Sequence, residues 1–152
     1  MKKKSKRIAK EMRNDSTEAV STNTCEEARL DLYADGSYRD GVGGCAWVLV
    51  NKGAVMNIGK RRVDGCKSGS VQVELTGIML GLGECPPHSS VDVYSDCQAA
   101  ISKINKGNLG ELTAIYNKVS LGKVIRYHWV KAHDGDMFNE MADSLSFSVL
   151  ES

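Results

Sequence analysis

Apolar positions change period several times along the chain, and each change marks an element. In Leu30-Asp31-Leu32-Tyr33-Ala34-Asp35 the residues alternate with period two, the signature of a strand, and Gly36-Ser37 read as the turn that ends it. The Gly43-Gly44 pair opens Cys45-Ala46-Trp47-Val48-Leu49-Val50, a nearly continuous apolar strand. Asn51-Lys52-Gly53 forms the next turn, and residues 55–63 read as a third strand. This close spacing predicts an antiparallel meander. After a loop over 65–69, Val71, Leu75, Ile78 and Leu82 recur at i, i+4, i+7 and i+11, a helical stripe. Gly77 and Gly81 lie inside that helix and lower its propensity, which close packing of the helix on a sheet would explain. Pro86-Pro87 end the element. Residues 91–96 read as a fourth strand, 97–106 and 110–120 as two short helices, and 124–130 as a fifth strand. The last helix, 137–149, carries Phe138, Ala142, Leu145 and Val149 on one face. The order βββ-α-β-αα-β-α predicts an α/β fold, a mixed sheet with helices on both faces.

The N-terminal stretch breaks this patterning. Residues 1–27 are polar and read as an arm, with the folded domain over 28–150. Residues 1–13 hold seven basic groups and one acid, a net +6, whereas the rest of the chain carries −5. Such an arm is either a solvated tail or an electrostatic contact for a polyanion. No apolar run approaches the ~18 residues of a membrane span, and no secretory signal is visible, so a cytoplasmic location is expected. The five cysteines, Cys25, Cys45, Cys66, Cys85 and Cys97, form no C-x-x-C pair and are odd in number, which points to reduced thiols.

Four carboxylates stand at positions suited to chemistry. Asp35 closes the first strand, Glu74 lies in the first turn of the first long helix, Asp96 closes the fourth strand, and Asp143 lies in the last helix. In open α/β sheets ligands collect at the carboxyl ends of parallel strands, so Asp35 and Asp96 are expected to share a crevice. Ionised carboxylates repel one another, and a cluster of them calls for a cation. Oxygen ligands suit hard ions such as Mg²⁺ or Mn²⁺. Two such ions about 3.5–4 Å apart can clamp a phosphodiester.

The surrounding motifs run in order: Asp35-Gly36-Ser37, Val73-Glu74-Leu75, Tyr94-Ser95-Asp96-Cys97-Gln98, the run from Trp129 to Asp136 around His133, and Asn139-Glu140-Met141-Ala142-Asp143. This series resembles the type 1 ribonuclease H family over roughly residues 28–150. The resemblance implies a ribonuclease H-like five-stranded mixed sheet and cleavage of the RNA strand of RNA–DNA hybrids to 5′-phosphate and 3′-hydroxyl ends. It places the family's metal-binding acids on Asp35, Glu74, Asp96 and Asp143, with two ions bridged by Asp35, and its flexible-loop histidine on His133. Substrate contacts would fall on Gln98, on Gly36 and Ser37, and on Ser70, where many members have Asn.

The chain departs from the family at three places. The stretch after Asp35 is short, with Arg39 standing in reach of a phosphate. Ser68-Gly69-Ser70 replaces the usual Thr-Asn-Asn run, and no basic protrusion lies between Asp96 and His133. The basic arm is expected to replace that protrusion in part. A DNA-directed nuclease of the same fold and a catalytically silent binding module are the alternative readings. The chain end at Ser152, just past the last helix, suggests a monomer.

Overall fold

The computed structural model describes residues 29–66 and 69–151; the arm read over 1–27, with Lys67 and Ser68, lies outside them. Along the chain run β1 (Arg29–Arg39), β2 (Val42–Asn51), β3 (Ala54–Asp64), α1 (Ser70–Gly83), β4 (Ser90–Ser95) and α2 (Gln98–Lys106). A 3-10 turn (Gly110–Leu112), α3 (Thr113–Ser120), β5 (Val124–Trp129) and α4 (Met137–Leu150) complete the order. The strands form one sheet ordered β3-β2-β1-β4-β5. β1 to β3 pair antiparallel, whereas β4 pairs parallel with both β1 and β5.

Alternation along β1 assigns its two faces. Leu30, Leu32 and Ala34 join Val91 and Val93 in a core capped by Ile78, Leu82, Ala100 and Ile104 of α1 and α2. Tyr33 points the other way, into a second core with Val48, Val50 and Ala142, against which Phe138 and Leu145 of α4 pack. Helices thus cover both faces, as the pattern predicts.

The glycines of α1 set the distance between helix and sheet. A Cβ at Gly81 would meet the Leu32 side chain at 2.6 Å, and one at Gly77 would meet the Asp35 carbonyl oxygen at 3.1 Å. The helix gives up propensity for a close approach that larger residues would forbid.

Two departures from the sequence reading go beyond a residue at an element's end. β1 does not turn at Gly36-Ser37: Gly36 pairs with Cys45 and Ser37 with Gly44, and pairing continues to Arg39 opposite Val42. The hairpin turn is Asp40-Gly41, both with positive φ (54° and 80°), as a tight two-residue turn requires. The segment read as one helix over 110–120 splits into the 3-10 turn and α3.

Candidate active site

The ladder between β1 and β4 ends at Tyr33 opposite Tyr94, two residues before Asp35. Beyond that point β1 continues while β4 gives way to the turn into α2. Asp35 and Asp96 therefore flank the opening at the carboxyl end of β4, where parallel sheets gather ligands. Asp96 sits in a turn fixed at both ends. The Cys97 N–H donates to Ser95 Oγ at 3.1 Å, and the Trp129 indole N–H donates to the Asp96 carbonyl at 3.2 Å.

Glu74 reaches the same place from α1, which starts at Ser70, so that it stands past the first turn and not within it as the sequence reading has it. A Cβ on Gly36 would stand 2.8 Å from the Glu74 nitrogen, so strand and helix backbones nearly touch here. That contact explains why a glycine follows Asp35 inside a strand. Asp35, Glu74 and Asp96 each offer an oxygen within 4.8 Å of the other two, close enough to share one cation. Asp35 is 3% exposed and Glu74 7% exposed.

These burials govern the ionisation. Burial first, then the charges of Asp35 and Asp96, push the Glu74 carboxyl well above the ordinary range. Burial likewise raises Asp35, and the neighbouring Asp96 and Asp143 add to it, while a hydrogen bond from Ser146 opposes it. Asp96 is raised by burial and by Asp143. Glu74 Oε1 is buried with no hydrogen-bond partner among the described residues. A buried carboxylate with an unpartnered oxygen, grouped with two further acids, fits a hard divalent cation.

Asp143 arrives on α4 and stands beside this trio. Ser146, one turn later, links the two, because its hydroxyl lies 2.8 Å from Asp35 Oδ2 and 2.9 Å from the Asp143 carbonyl. The Ser37 hydroxyl is 2.9 Å from the same Ser146 oxygen. The Asp143 carboxylate also belongs to a second group of potential ligands, with His133 and Glu140. His133 is exposed, has a positive φ of 56°, and places Nδ1 3.5 Å from Glu140 Oε1 and 3.8 Å from Asp143 Oδ2. Asp136 precedes α4 and caps it, its carboxylate accepting from the Asn139 N–H.

The expected substrate contacts divide. Gly36 and Ser37 line the acid cluster, and Gln98 opens α2 on the surface just past Asp96. Ser70 is exposed at the start of α1. Arg39 is tied elsewhere: its guanidinium donates to the Leu150 carbonyl at 3.0 Å and lies over the Phe147 ring. It serves the C-terminus of α4, so a phosphate contact would need that bond to break. Ser146 and Glu140 are the neighbours the sequence reading missed; their positions three residues after and three before Asp143 are the only signal for them.

A mixed sheet carrying a carboxylate cluster where β1 outruns β4 defines an α/β protein whose crevice offers acids that could hold a metal ion. The sequence matches the RNase H family over residues 27–151, and the chain belongs to that family as a hydrolase of the ribonuclease H class. It is 26% identical to a ribonuclease H of Anaplasma marginale, covering 82% of this chain and 92% of that protein. It is 28% identical to a ribonuclease H of Ehrlichia ruminantium, covering 80% and 94%. Among solved structures, RNase H1 of the halophilic archaeon Halobacterium salinarum superposes with a TM-score of 0.69 at 18% identity, over 81% of this chain and 98% of that one. The N-terminal RNase H domain of a Mycobacterium tuberculosis protein gives 0.68 at 18% identity, over 82% and 94%. At that identity the structures speak for the fold.

Proposed function

We propose that the protein cleaves the RNA strand of RNA–DNA hybrids endonucleolytically, with two divalent cations, Mg²⁺ or Mn²⁺, and leaves 5′-phosphate and 3′-hydroxyl ends. The observation that carries this reading is the convergence of Asp35, Glu74 and Asp96 within 4.8 Å around an unpartnered, buried Glu74 oxygen. Asp35, Glu74 and Asp96 would hold one ion; Asp35 and Asp143 would hold the other. When bound, such a pair activates water and neutralises charge on the departing oxygen.

The chain's own residues orient and select. Ser146 holds one Asp35 oxygen and thereby fixes the plane of the carboxylate shared by both sites. His133 stands at the mouth beside Asp143 and Glu140, placed to exchange a proton with the leaving strand as product departs. Recognition of RNA rests on the 2′-hydroxyl, the group that separates it from DNA. Gln98, Ser70 and the Gly36–Ser37 backbone supply donors and acceptors around the acids for it. All four acids come from one chain, so a monomer suffices. The free thiols Cys45, Cys66, Cys85 and Cys97 suit a reducing compartment such as the cytoplasm.

The test offers end-labelled hybrid to wild type and Asp35→Asn with either metal and analyses the new ends. Cleavage to 5′-phosphates by wild type, and none by a folded Asp35→Asn variant, is the expected result. Cleavage retained by Asp35→Asn, or products ending in 3′-phosphates, would overturn the reading.

A further inference from the structure

Outside the acid cluster, β5 and α2 leave a groove of about 340 Å³ between them, lined by Gln98, Ile101, Ser102, Asn105, Lys106 and Trp129. We propose that this groove seats a nucleotide of the bound hybrid next to the one being cleaved, with the Trp129 ring as its stacking wall and α2 as its polar wall. The inference rests on the hybrid-cleaving function proposed above and extends it to a subsite.

Four observations carry it. The groove is continuous with the acids: Trp129, its outer wall, donates its indole N–H to the Asp96 carbonyl, and Gln98 at its mouth lies two residues from Asp96. The indole N–H is satisfied, yet the side chain is 51% exposed, so a large aromatic surface stays wet beside the crevice. Tyr and Trp in that state commonly await a partner. Gln98, Ser102, Asn105 and Lys106 lie at i, i+4, i+7 and i+8 on α2, a single face of the helix. None of these four side chains makes a hydrogen bond or ion pair with another described residue, so their donors and acceptors are free for a ligand. Lys106 adds a positive charge at the far end of the groove from the acids.

A nucleotide matches this chemistry part by part. Its base or sugar offers a flat or apolar face to the indole, its hydroxyls and base edges meet Ser102 and Asn105, and its phosphate meets Lys106. Stacking of this kind is tolerant of sequence because every base has a π-face. An acidic peptide would use Lys106 but leave the aromatic wall and the amides idle.

The experiment measures KM for a long hybrid and for hybrids recessed on one flank or the other of the cleavage site. Wild type is expected to prefer the long hybrid over one of the two recessed forms. Trp129→Ala should remove about tenfold of that preference, and Trp129→Phe, which keeps a ring but lacks the N–H, should retain most of it. Lys106→Ala, at the exposed last residue of α2, should lower the salt slope of binding by about one. If both Trp129 variants lose kcat equally and leave the preference intact, Trp129 only anchors the Asp96 turn and the subsite does not exist. A Lys106→Ala protein with unchanged salt slope and flank preference would also count against it. If wild type cleaves no hybrid at all, the proposed function itself fails; if it cleaves and the variants do not alter flank preference, only the groove fails.

Discussion

Replacing Glu74 by Gln removes a buried carboxyl that resists ionisation and should stabilise the metal-free fold while destroying its response to metal. Burial raises the Glu74 carboxyl from 4.5 to about 9. At neutral pH the folded state therefore keeps a proton that the unfolded chain has released. Each unit of difference is worth about 1.4 kcal/mol, so a gap of roughly 2.5 units at pH 7 amounts to about 3 kcal/mol of lost stability. Burial and the neighbouring Asp96 and Asp143 raise Asp35 as well, so relief at Glu74 alone is worth less, about 1–3 kcal/mol. For a domain of this size that is a rise in Tm on the order of 5 °C. Below the unfolded carboxylate range both states are protonated and the penalty is absent. As pH rises through that range the folded state holds the extra protons, so stability falls, and the fall ends only above the raised folded values. Melting curves of chelator-treated protein between pH 5 and 9 test this. Wild type should lose Tm across the window, and Glu74→Gln should lose less and melt higher at pH 8. Added Mg²⁺ should raise the wild-type Tm, by mass action on the folded state, and leave that of Glu74→Gln nearly unchanged. A variant that melts no higher than wild type at pH 8, with the same pH slope, would refute the reasoning.

Three further perturbations probe the supports of the cluster. Gly36→Ala places a methyl group 2.8 Å from the Glu74 nitrogen, so α1 must retreat; a loss of about 1–3 kcal/mol in stability and a sharp loss of metal affinity should appear together in melting and calorimetric titrations. Ser146→Ala removes the hydroxyl from Asp35 and should weaken metal binding by an amount on the order of 1.5–3 kcal/mol, the worth of a hydrogen bond to a charged group, with Tm in chelator changed much less. Deleting residues 1–27 should raise KM for the hybrid and flatten its salt dependence, because the arm carries +6 in its first 13 residues. Unchanged KM and salt slope at low salt would leave the arm without a part in binding.

Hydrophobic period made the sheet legible. The alternation at 30–35 separates the two faces of β1 as the structure does, and the glycines of the α1 stripe were readable as a close helix–sheet contact. Asp96 was readable as a residue at the carboxyl end of a parallel strand, where such sheets gather ligands; Asp35 sits inside β1, two residues past the point where its ladder with β4 stops. Gly36-Ser37 misled because Asp-Gly-Ser has the composition of a turn; only the approach of the Glu74 backbone, a contact 38 residues away in sequence, shows why glycine occurs mid-strand. Arg39 looked free for a phosphate because its partners, Phe147 and Leu150, lie more than 100 residues later. Ser146 was invisible among Ser144 and Ser148: three serines at alternate positions differ only in which one the helix turns toward Asp35.

The most direct measurement places labelled RNA–DNA hybrid, double-stranded RNA and double-stranded DNA side by side with the protein, in Mg²⁺, in Mn²⁺ and in chelator. Cleavage confined to the RNA of the hybrid, present with either metal and absent in chelator, is the predicted result. Cleavage that persists in chelator, or that falls on double-stranded DNA as readily as on the hybrid, would contradict it.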